Sequence, residues 1–448
     1  MVLNEALKNV TVLGAAGKMG SGISLLLLQE MARLELEQTG RLGSGGFVLN
    51  LVDTNETALG ELRRYLRKQL VKYAEKNIVM LRIYTKDNPA LVDNSDVIES
   101  FVNDSQDLLR TNTDPLSAKS SKLVFEAIIE DLDVKLGVYN NLNRVCPPDT
   151  MYFTNTSSIP ISEIDSKAGL GGRIIGYHFY NPPAVQKLVE LISSAGTTTD
   201  IKNISMELGK RLKKTIVPSN DKAGFIGNGH FLRDVLYSFD LVSELQKRFA
   251  PHEAVYCVNK ITQDFMVRPM GIFQLHDYVG VDVCRHILAI MKTYLGNPGF
   301  ENETINAMYK NKIIGGQFAD GSQKDGFLKY EKNKPVGVYS LQENRYILFS
   351  EGDWTRKCDD HLGALPKSYT PWKALLGDKK KADKLGIYFK ELFSSDAAGC
   401  VHARKYLECS RSIARELVKD GVANRIEDVN QVLENGFFHV YGPENTYF

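Results

Sequence analysis

Val10-Thr-Val-Leu-Gly14-Ala-Ala-Gly17-Lys-Met-Gly20 runs a short apolar strand into a glycine turn and opens a helix-period stretch from about Lys18 to Glu37. Glycine turns the backbone tightly and lets a pyrophosphate approach the helix N-terminus, where unpaired N–H groups and the helix dipole favour anions. The spacing is GxxGxxG, one residue longer than the commoner GxGxxG, so the reading rests on context: strand before, helix after. The next strand, Phe47–Val52, closes on Asp53. A carboxylate there accepts hydrogen bonds from ribose hydroxyls and repels a 2′-phosphate, which selects NAD over NADP. Asp53 before Thr54-Asn55 is also what an ordinary turn looks like. The glycines at 14, 17 and 20 together with the acid make the case for a bound dinucleotide.

Working outward, strand-like runs recur at Leu108–Thr111, Leu123–Ile128, Met151–Thr154, Ile174–Tyr177 and Leu188–Ile192, mostly separated by helix-like segments. That alternation is expected of a parallel sheet with helical crossovers. Two places are longer than such a unit needs, one near 38–47, where Gly40–Gly46 reads as an inserted flexible loop, and one near 77–105. Past about Ser219 the strand pattern gives way to long helical stretches. The fold class expected is an α/β Rossmann-like N-terminal domain followed by an all-α C-terminal region of two related helical units. The boundaries drawn are 1–219, 220–345 and 346–448. The two units rest on Val258–Gly271 (VNKITQDFMVRPMG) and Val429–Gly442 (VNQVLENGFFHVYG), which align without gaps 171 residues apart, each after a helix-like stretch.

A chain of 448 residues holds two or three domains, and 43% hydrophobic with 24% charged residues is ordinary globular composition. A formal net charge of +1 argues against a dominant nucleic-acid field. The six cysteines (146, 257, 284, 358, 400 and 409) form no CxxC pair, as expected of reduced thiols with no metal or disulfide framework. No segment reaches the length of a membrane span. The N-terminus shows no secretory signal and the C-terminus no peroxisomal tripeptide, so the compartment expected is the cytoplasm.

The segment from Asn155 to Ile192 carries the chemistry. It holds Ser157, His178, Asn181 and Glu190 between apolar, strand-like runs. A secondary alcohol releases hydride readily when its proton leaves in step, and a neutral histidine is the natural acceptor. A carboxylate partner fixes the imidazole tautomer and stabilises the imidazolium. Glu190 sits in the run Leu188–Ile192, and a carboxylate among so many apolar neighbours is usually paired. Singly, His178 reads as a structural histidine and Ser157 as a turn or cap residue; jointly they read as a site.

These motifs resemble the L-3-hydroxyacyl-CoA dehydrogenase family, whose members show NTSS, then H-F-[FY]-N-P, then K-L-V-E. This chain has Asn155–Ser158, His178-Phe-Tyr-Asn181-Pro and Lys187-Leu-Val-Glu190. Phe125–Lys135 (FEAIIEDLDVK), Ala223–Asn228 (AGFIGN), Arg268–Gly280 (RPMGIFQLHDYVG) and Lys324–Tyr330 (KDGFLKY) are similar to further family segments, so the resemblance covers about residues 8–335. It implies an NAD-dependent oxidation of L-3-hydroxyacyl-CoA to the 3-ketoacyl-CoA, as in fatty acid β-oxidation. His178 would be the general base and Glu190 its orienting partner. Ser157 would bond the reacting oxygen, and Asn228 would position the substrate. Glu130, Lys135 and Asn181 would lie on the cofactor side. The chain departs from the family at Gly229, where arginine is usual, in the longer glycine turn and in the extended loop before Asp53. Lys68, Lys72 and Lys76 are either CoA phosphate contacts or a solvated helical face. No hydratase-like segment is present.

Two other readings stay open: a dehydrogenase of another 3-hydroxy acid, which a different CoA-facing surface would mark, and a non-catalytic NAD-binding protein. The presence of Ser157, His178, Glu190 and Asn228 together argues against the latter. The partner expected is an acyl-CoA substrate, with no nucleic acid and no membrane, in a monomer or homodimer. A second helical unit could cover the surface through which the family's helical domain pairs.

Overall fold

The computed structural model describes residues 2–40, 42, 46–318 and 321–448, so most of the Gly40–Gly46 loop lies outside the described residues. Internal contacts divide the chain into two units, Met1–Asp221 and Lys222–Phe448.

The first unit is built on eight strands: β1 (Asn9–Leu13), β2 (Val48–Val52), β3 (Leu109–Asn112), β4 (Leu123–Glu126), β5 (Met151–Thr154), β6 (Ile174–Phe179), β7 (Leu188–Ser193) and β8 (Thr215–Asn220). Their spatial order is β3-β2-β1-β4-β5-β6-β7-β8. Neighbours from β3 through β6 are parallel, β7 runs antiparallel to β6, and β8 is parallel to β7. The first six therefore take the 3-2-1-4-5-6 order of a doubly wound dinucleotide fold. Every residue of β4, β5 and β6 is buried, as in sheets covered on both faces.

The helix Lys18–Thr39 begins after Gly17 and stops at Gly40, whose φ of 70° is the left-handed conformation that ends helices. The long stretch near 77–105, which the sequence left without a role, is two helices, Ile78–Tyr84 and Asn94–Gln106, joined by a loop. Arg82 ties its loop together, donating to Asn94 Oδ1, Leu91 O and Val92 O. Asp93 caps the helix Asn94–Gln106 in a reciprocal capping box with Asp96. Phe101 of that helix stacks on Tyr73, their ring centroids 5.8 Å apart.

The second unit is helical with one addition to the expectation. A three-stranded antiparallel sheet, β9 (Leu328–Glu331), β10 (Lys334–Ser340) and β11 (Arg345–Leu348), interrupts the helices. Its first turn carries Lys332 and Asn333 at φ of 49° and 63°, the conformation in which Asn-Gly is the usual pair. That substitution, with Pro335 inside the strand, hid the hairpin from a pattern reading. The expected division at 345/346 does not appear as a break in the core, because side chains from Ala223 to Tyr441 form one continuous apolar cluster.

The two similar stretches adopt the same device. Val267 and Phe438, 171 positions apart, both sit at positive φ. A Cβ on Gly271 would lie 2.2 Å from Asn259 Oδ1, and one on Gly442 would lie 2.3 Å from Asn430 Oδ1. Each glycine thus lets an asparagine side chain bond the chain just beyond the turn, at Phe273 and Gln274 in one copy and Glu444 in the other. The helices before them, Gly227–Leu245 and Ala398–Lys419, start with the same 171-residue offset.

Candidate active site

The glycine turn packs as tightly as its composition requires. Gly14 has φ +69°, and a Cβ there would stand 2.5 Å from Ala127 O. A Cβ on Gly20 would stand 2.0 Å from Gly14 O, whereas on Gly17 it would meet only Gly14 O at 3.3 Å. Gly14 and Gly20 let the turn close on β4 and on itself, and Gly17 stands bare at the helix N-terminus. Asp53 is a turn residue in its contacts. Its Oδ2 accepts from Ala16 N at 3.0 Å and its Oδ1 from Asn55 N at 3.1 Å, so one carboxylate ties the glycine turn to the end of β2.

Beside these residues lies a cavity of about 380 Å³ lined by Gly14, Gly17, Asp53, Thr113, Ile128 and Val134 among others. It opens where β1, β2 and β4 end, between the strands at which the sheet order reverses, the usual ligand crevice of an open α/β sheet. Apolar walls for a base, a carboxylate for ribose hydroxyls and bare glycine backbone for phosphates fit a dinucleotide such as NAD.

A second cluster lies under β4 and β5. Glu126, fully buried, accepts from Lys135 Nζ at 2.6 Å, Thr154 Oγ1 at 2.7 Å, Tyr139 OH at 3.1 Å and Ile128 N at 2.9 Å. Lys135 is 1% exposed and also reaches Glu130 Oε2 at 3.3 Å. Glu130 Oε1 in turn accepts from Thr156 Oγ1 (2.6 Å), Ser157 N (2.8 Å), Ser158 Oγ (3.0 Å) and Ser158 N (3.2 Å). Burial pushes the Glu130 carboxyl up, but the Lys135 ammonium and the donors of Thr156–Ser158 outweigh it, leaving its pKa below the ordinary carboxylate value. Burial likewise works against the Lys135 ammonium, and the two glutamates more than offset it. The Asn155–Ser158 turn is thus wrapped around one ionised carboxylate. Lys135→Met should strand two acids in the interior and lower the unfolding free energy by about 3–5 kcal/mol, seen as an earlier midpoint in denaturant.

His178 and Glu190 face each other in register across the antiparallel pair β6–β7. His178 Nδ1 lies 3.2 Å from Glu190 Oε2, the histidine side chain 10% exposed and the glutamate fully buried. Tyr180 OH donates to the same oxygen at 2.6 Å, and its ring lies 4.9 Å from the imidazole, centroid to centroid. Asn155 Oδ1 accepts from Phe179 N at 2.9 Å, pinning the end of β6 to the serine turn. The segment after Tyr180 is held by Lys214, whose Nζ donates to Pro183 O and Gln186 O at 2.6 Å each. Pro183 packs against Gly22, where an added Cβ would come within 2.8 Å of it. That contact ties the segment carrying Asn181 to the helix of the glycine turn.

The family model for the NAD-binding domain of 3-hydroxyacyl-CoA dehydrogenase matches residues 9–222, and that for the C-terminal domain matches 238–330. A Caenorhabditis elegans protein described as "Probable 3-hydroxyacyl-CoA dehydrogenase" is 30% identical over 283 residues, 63% of this chain and 80% of its own length. The chain belongs to the 3-hydroxyacyl-CoA dehydrogenase family. The human mitochondrial hydroxyacyl-coenzyme A dehydrogenase is 28% identical over 330 residues, 72% of this chain and 91% of that protein. In fold, the crystal structure of Escherichia coli 3-hydroxybutyryl-CoA dehydrogenase covers 98% of this chain and 90% of its own, with a TM-score of 0.62 at 19% identity.

Against this family frame, Gly14, Gly17, Gly20, Asp53, Glu130, Ser157, His178, Asn181 and Glu190 all belong to the first unit, which is the family's NAD-binding domain. Asn228 belongs to the second, in the first turn of the helix Gly227–Leu245. Lys135 was expected to touch the cofactor. It lies beneath Glu130 instead, its ammonium engaged by two carboxylates. Sequence reasoning missed Glu126, Asn155 and Tyr180. Glu126 was findable as an acid closing an apolar strand, whereas Asn155 and Tyr180 stood inside recognised motifs and passed as spacers. No helix among the described residues is long and apolar enough to cross a membrane. Nor do those residues hold a group of three or more His, Cys, Asp and Glu side chains placed to bind a metal.

Proposed function

We propose that this protein oxidises the 3-hydroxyl of an L-3-hydroxyacyl-CoA to the ketone, reversibly, with NAD as redox partner. The observation that carries the reading is the in-register His178–Glu190 pair at 3.2 Å. With Nδ1–H directed at Glu190, Nε2 is left as a proton acceptor, the tautomer a general base needs. His178 takes the hydroxyl proton, and the buried Glu190 carboxylate stabilises the imidazolium that results. NAD, when bound, accepts the hydride from C3.

Ser157 donates to the reacting oxygen, and Glu130 holds the Ser157 backbone in place for it. Lys135 keeps Glu130 ionised from below, so it acts as a positioning residue. Gly14, Gly17, Gly20 and Asp53 bind the dinucleotide, Asn181 lines its nicotinamide side, and Asn228 positions the substrate. The carrier is tested by comparing kcat/KM for acetoacetyl-CoA and free acetoacetate with NADH. A preference for the CoA ester of about a hundredfold or more is expected, because contacts far from the reacting carbon are spent on orientation. Equal use of the free acid would move the assignment to another 3-hydroxy acid, with Gly229 as the first position to examine.

The chain supports its own helical region as an internal pair. In the second unit the helix Gly227–Leu245 packs on Ala398–Lys419, with Tyr406 OH donating to Asp234 O at 2.6 Å and His230 Nε2 lying 3.0 Å from Ser410 O. A duplicated unit placed there covers a face that a second subunit would otherwise take, and the protein is expected to sediment as a monomer. A tight dimer at micromolar concentration would contradict this.

A further inference from the structure

The link from β6 to β7, residues 180–187, carries Asn181 and lies beyond the strand pairing, which ends at Phe179 and Val189. Val185 N and Gln186 N both donate to Pro182 O at 2.9 Å, which folds the link into a single turn. Lys214 fastens that turn from outside, its Nζ donating to Pro183 O and Gln186 O at 2.6 Å each. The lysine is delivered from a fixed corner. Lys213, at φ 55°, turns the chain out of the helix Thr199–Arg211. Lys214 N then donates to Gly209 O and Thr215 N to Lys187 O, at 2.8 Å each. We propose that Lys214 is a positioning residue for the cofactor: by clamping the link it sets Asn181 for the nicotinamide half of NAD, while the adenine half rests on the glycine turn and Asp53. The inference deepens the proposed function and rests on NAD being bound with Asn181 on its nicotinamide side.

A lysine is a costly choice for this corner. Among the described residues no carboxylate pairs with Lys214; its ammonium meets the two carbonyls and the Phe179 ring, 5.9 Å from the ring centroid. Burial pushes its pKa down to about 8. A half-buried cation with no acid to offset it points to a task, and the task its contacts describe is holding the link. The clamp does not depend on the charge, because a neutral amine keeps two N–H donors for the two carbonyls.

The two halves of the cofactor site depend on the link differently. The link touches the helix Lys18–Thr39 where Pro183 meets Gly22. That helix has its own tie to the end of Thr199–Arg211, Arg211 Nη1 lying 3.3 Å from Glu30 Oε1. Its N-terminal turn is bound to β2 through Ala16 N and Asp53 Oδ2. Releasing the link therefore leaves the glycine turn in place. What changes is the order of residues 180–187: without the clamp they must be immobilised when the nicotinamide half binds, and that entropy is subtracted from its affinity.

The test is Lys214→Met, a side chain of similar shape without donors. The full-length variant is titrated by calorimetry with NADH and with ADP-ribose, which lacks the nicotinamide. The Kd for NADH is expected to rise about tenfold or more, and that for ADP-ribose to stay within about twofold of wild type. Retained ADP-ribose binding also shows that the variant is folded. Should Lys214→Met not fold, Lys214→Gln, which keeps two N–H donors on a shorter chain, carries the same comparison with a smaller loss. Asn181→Ala should reproduce the loss confined to NADH, and Lys214→Met in that background should add little, because the lysine acts through the link. Equal weakening of both ligands, or undiminished NADH binding, would overturn the proposal. If wild-type protein bound both ligands yet turned over no 3-ketoacyl-CoA, the functional reading would fail while the binding comparison still decided the role of Lys214.

Discussion

His178→Gln should lower kcat for reduction of acetoacetyl-CoA by about 10³-fold or more, with NADH affinity within a factor of about three of wild type. Glutamine can still donate an amide proton to Glu190, so the carboxylate stays partnered and the β6–β7 pairing survives. What it cannot do is carry a proton between Nε2 and the substrate oxygen. In the oxidative direction the hydroxyl proton must then leave to water, and the alkoxide character that drives hydride departure is lost. The cofactor turn follows β1, which β4 and β5 separate from β6 in the sheet, so a fluorescence titration with NADH should be nearly unchanged. A fall in kcat of less than tenfold would mean that another group takes the proton.

Gly20→Ala should cost about 3 kcal/mol or more of stability, and NADH affinity should fall by at least about tenfold. The added methyl would stand 2.0 Å from Gly14 O, 2.8 Å from Gly14 C and 2.9 Å from Ala15 Cα. These are backbone atoms of the turn, so no side chain can swing aside, and the helix start must move away from β1. That movement displaces the N–H groups which the pyrophosphate would meet. Gly17→Ala is the internal comparison. Its nearest approach is Gly14 O at 3.3 Å, a contact that a few tenths of an ångström relieves. Its stability loss should stay within about 1 kcal/mol. Thermal unfolding beside NADH titration reads both variants, and an order of effects with Gly17→Ala the worse would contradict the packing described.

How much of this was legible beforehand differs from element to element. The strand-turn-helix at Val10–Gly20, the acid at Asp53 and the alternation of strands with helices follow from local pattern, because strand, turn and helix each carry their own period; the order of the strands in the sheet is tertiary. The His178–Glu190 pair was legible as two residues in adjacent strand-like runs. Their register was not, since a one-residue slip in β7 would have turned Glu190 to the other face. The link between β6 and β7 sets that register, and its geometry comes from Lys214 and Gly22, neither of which has a local signature. Glu126 and Lys135 illustrate another limit. A buried ion pair is made by tertiary contact, and the string FEAIIEDLDVK shows the charges without showing which of them face inward. The β9–β11 sheet was hidden by its own chemistry, a Lys-Asn turn and a strand proline where Asn-Gly and alternating apolar residues would have announced it.

The central claim is that hydride passes between the dinucleotide and carbon 3 of an acyl-CoA beside His178. It is tested most directly by incubating the purified full-length protein with acetoacetyl-CoA and NADH deuterated at C4, and locating the label in the product by mass spectrometry and NMR. The account predicts 3-hydroxybutyryl-CoA carrying deuterium at C3. A protein that binds NADH yet forms no labelled alcohol from this or longer 3-ketoacyl-CoAs would contradict it.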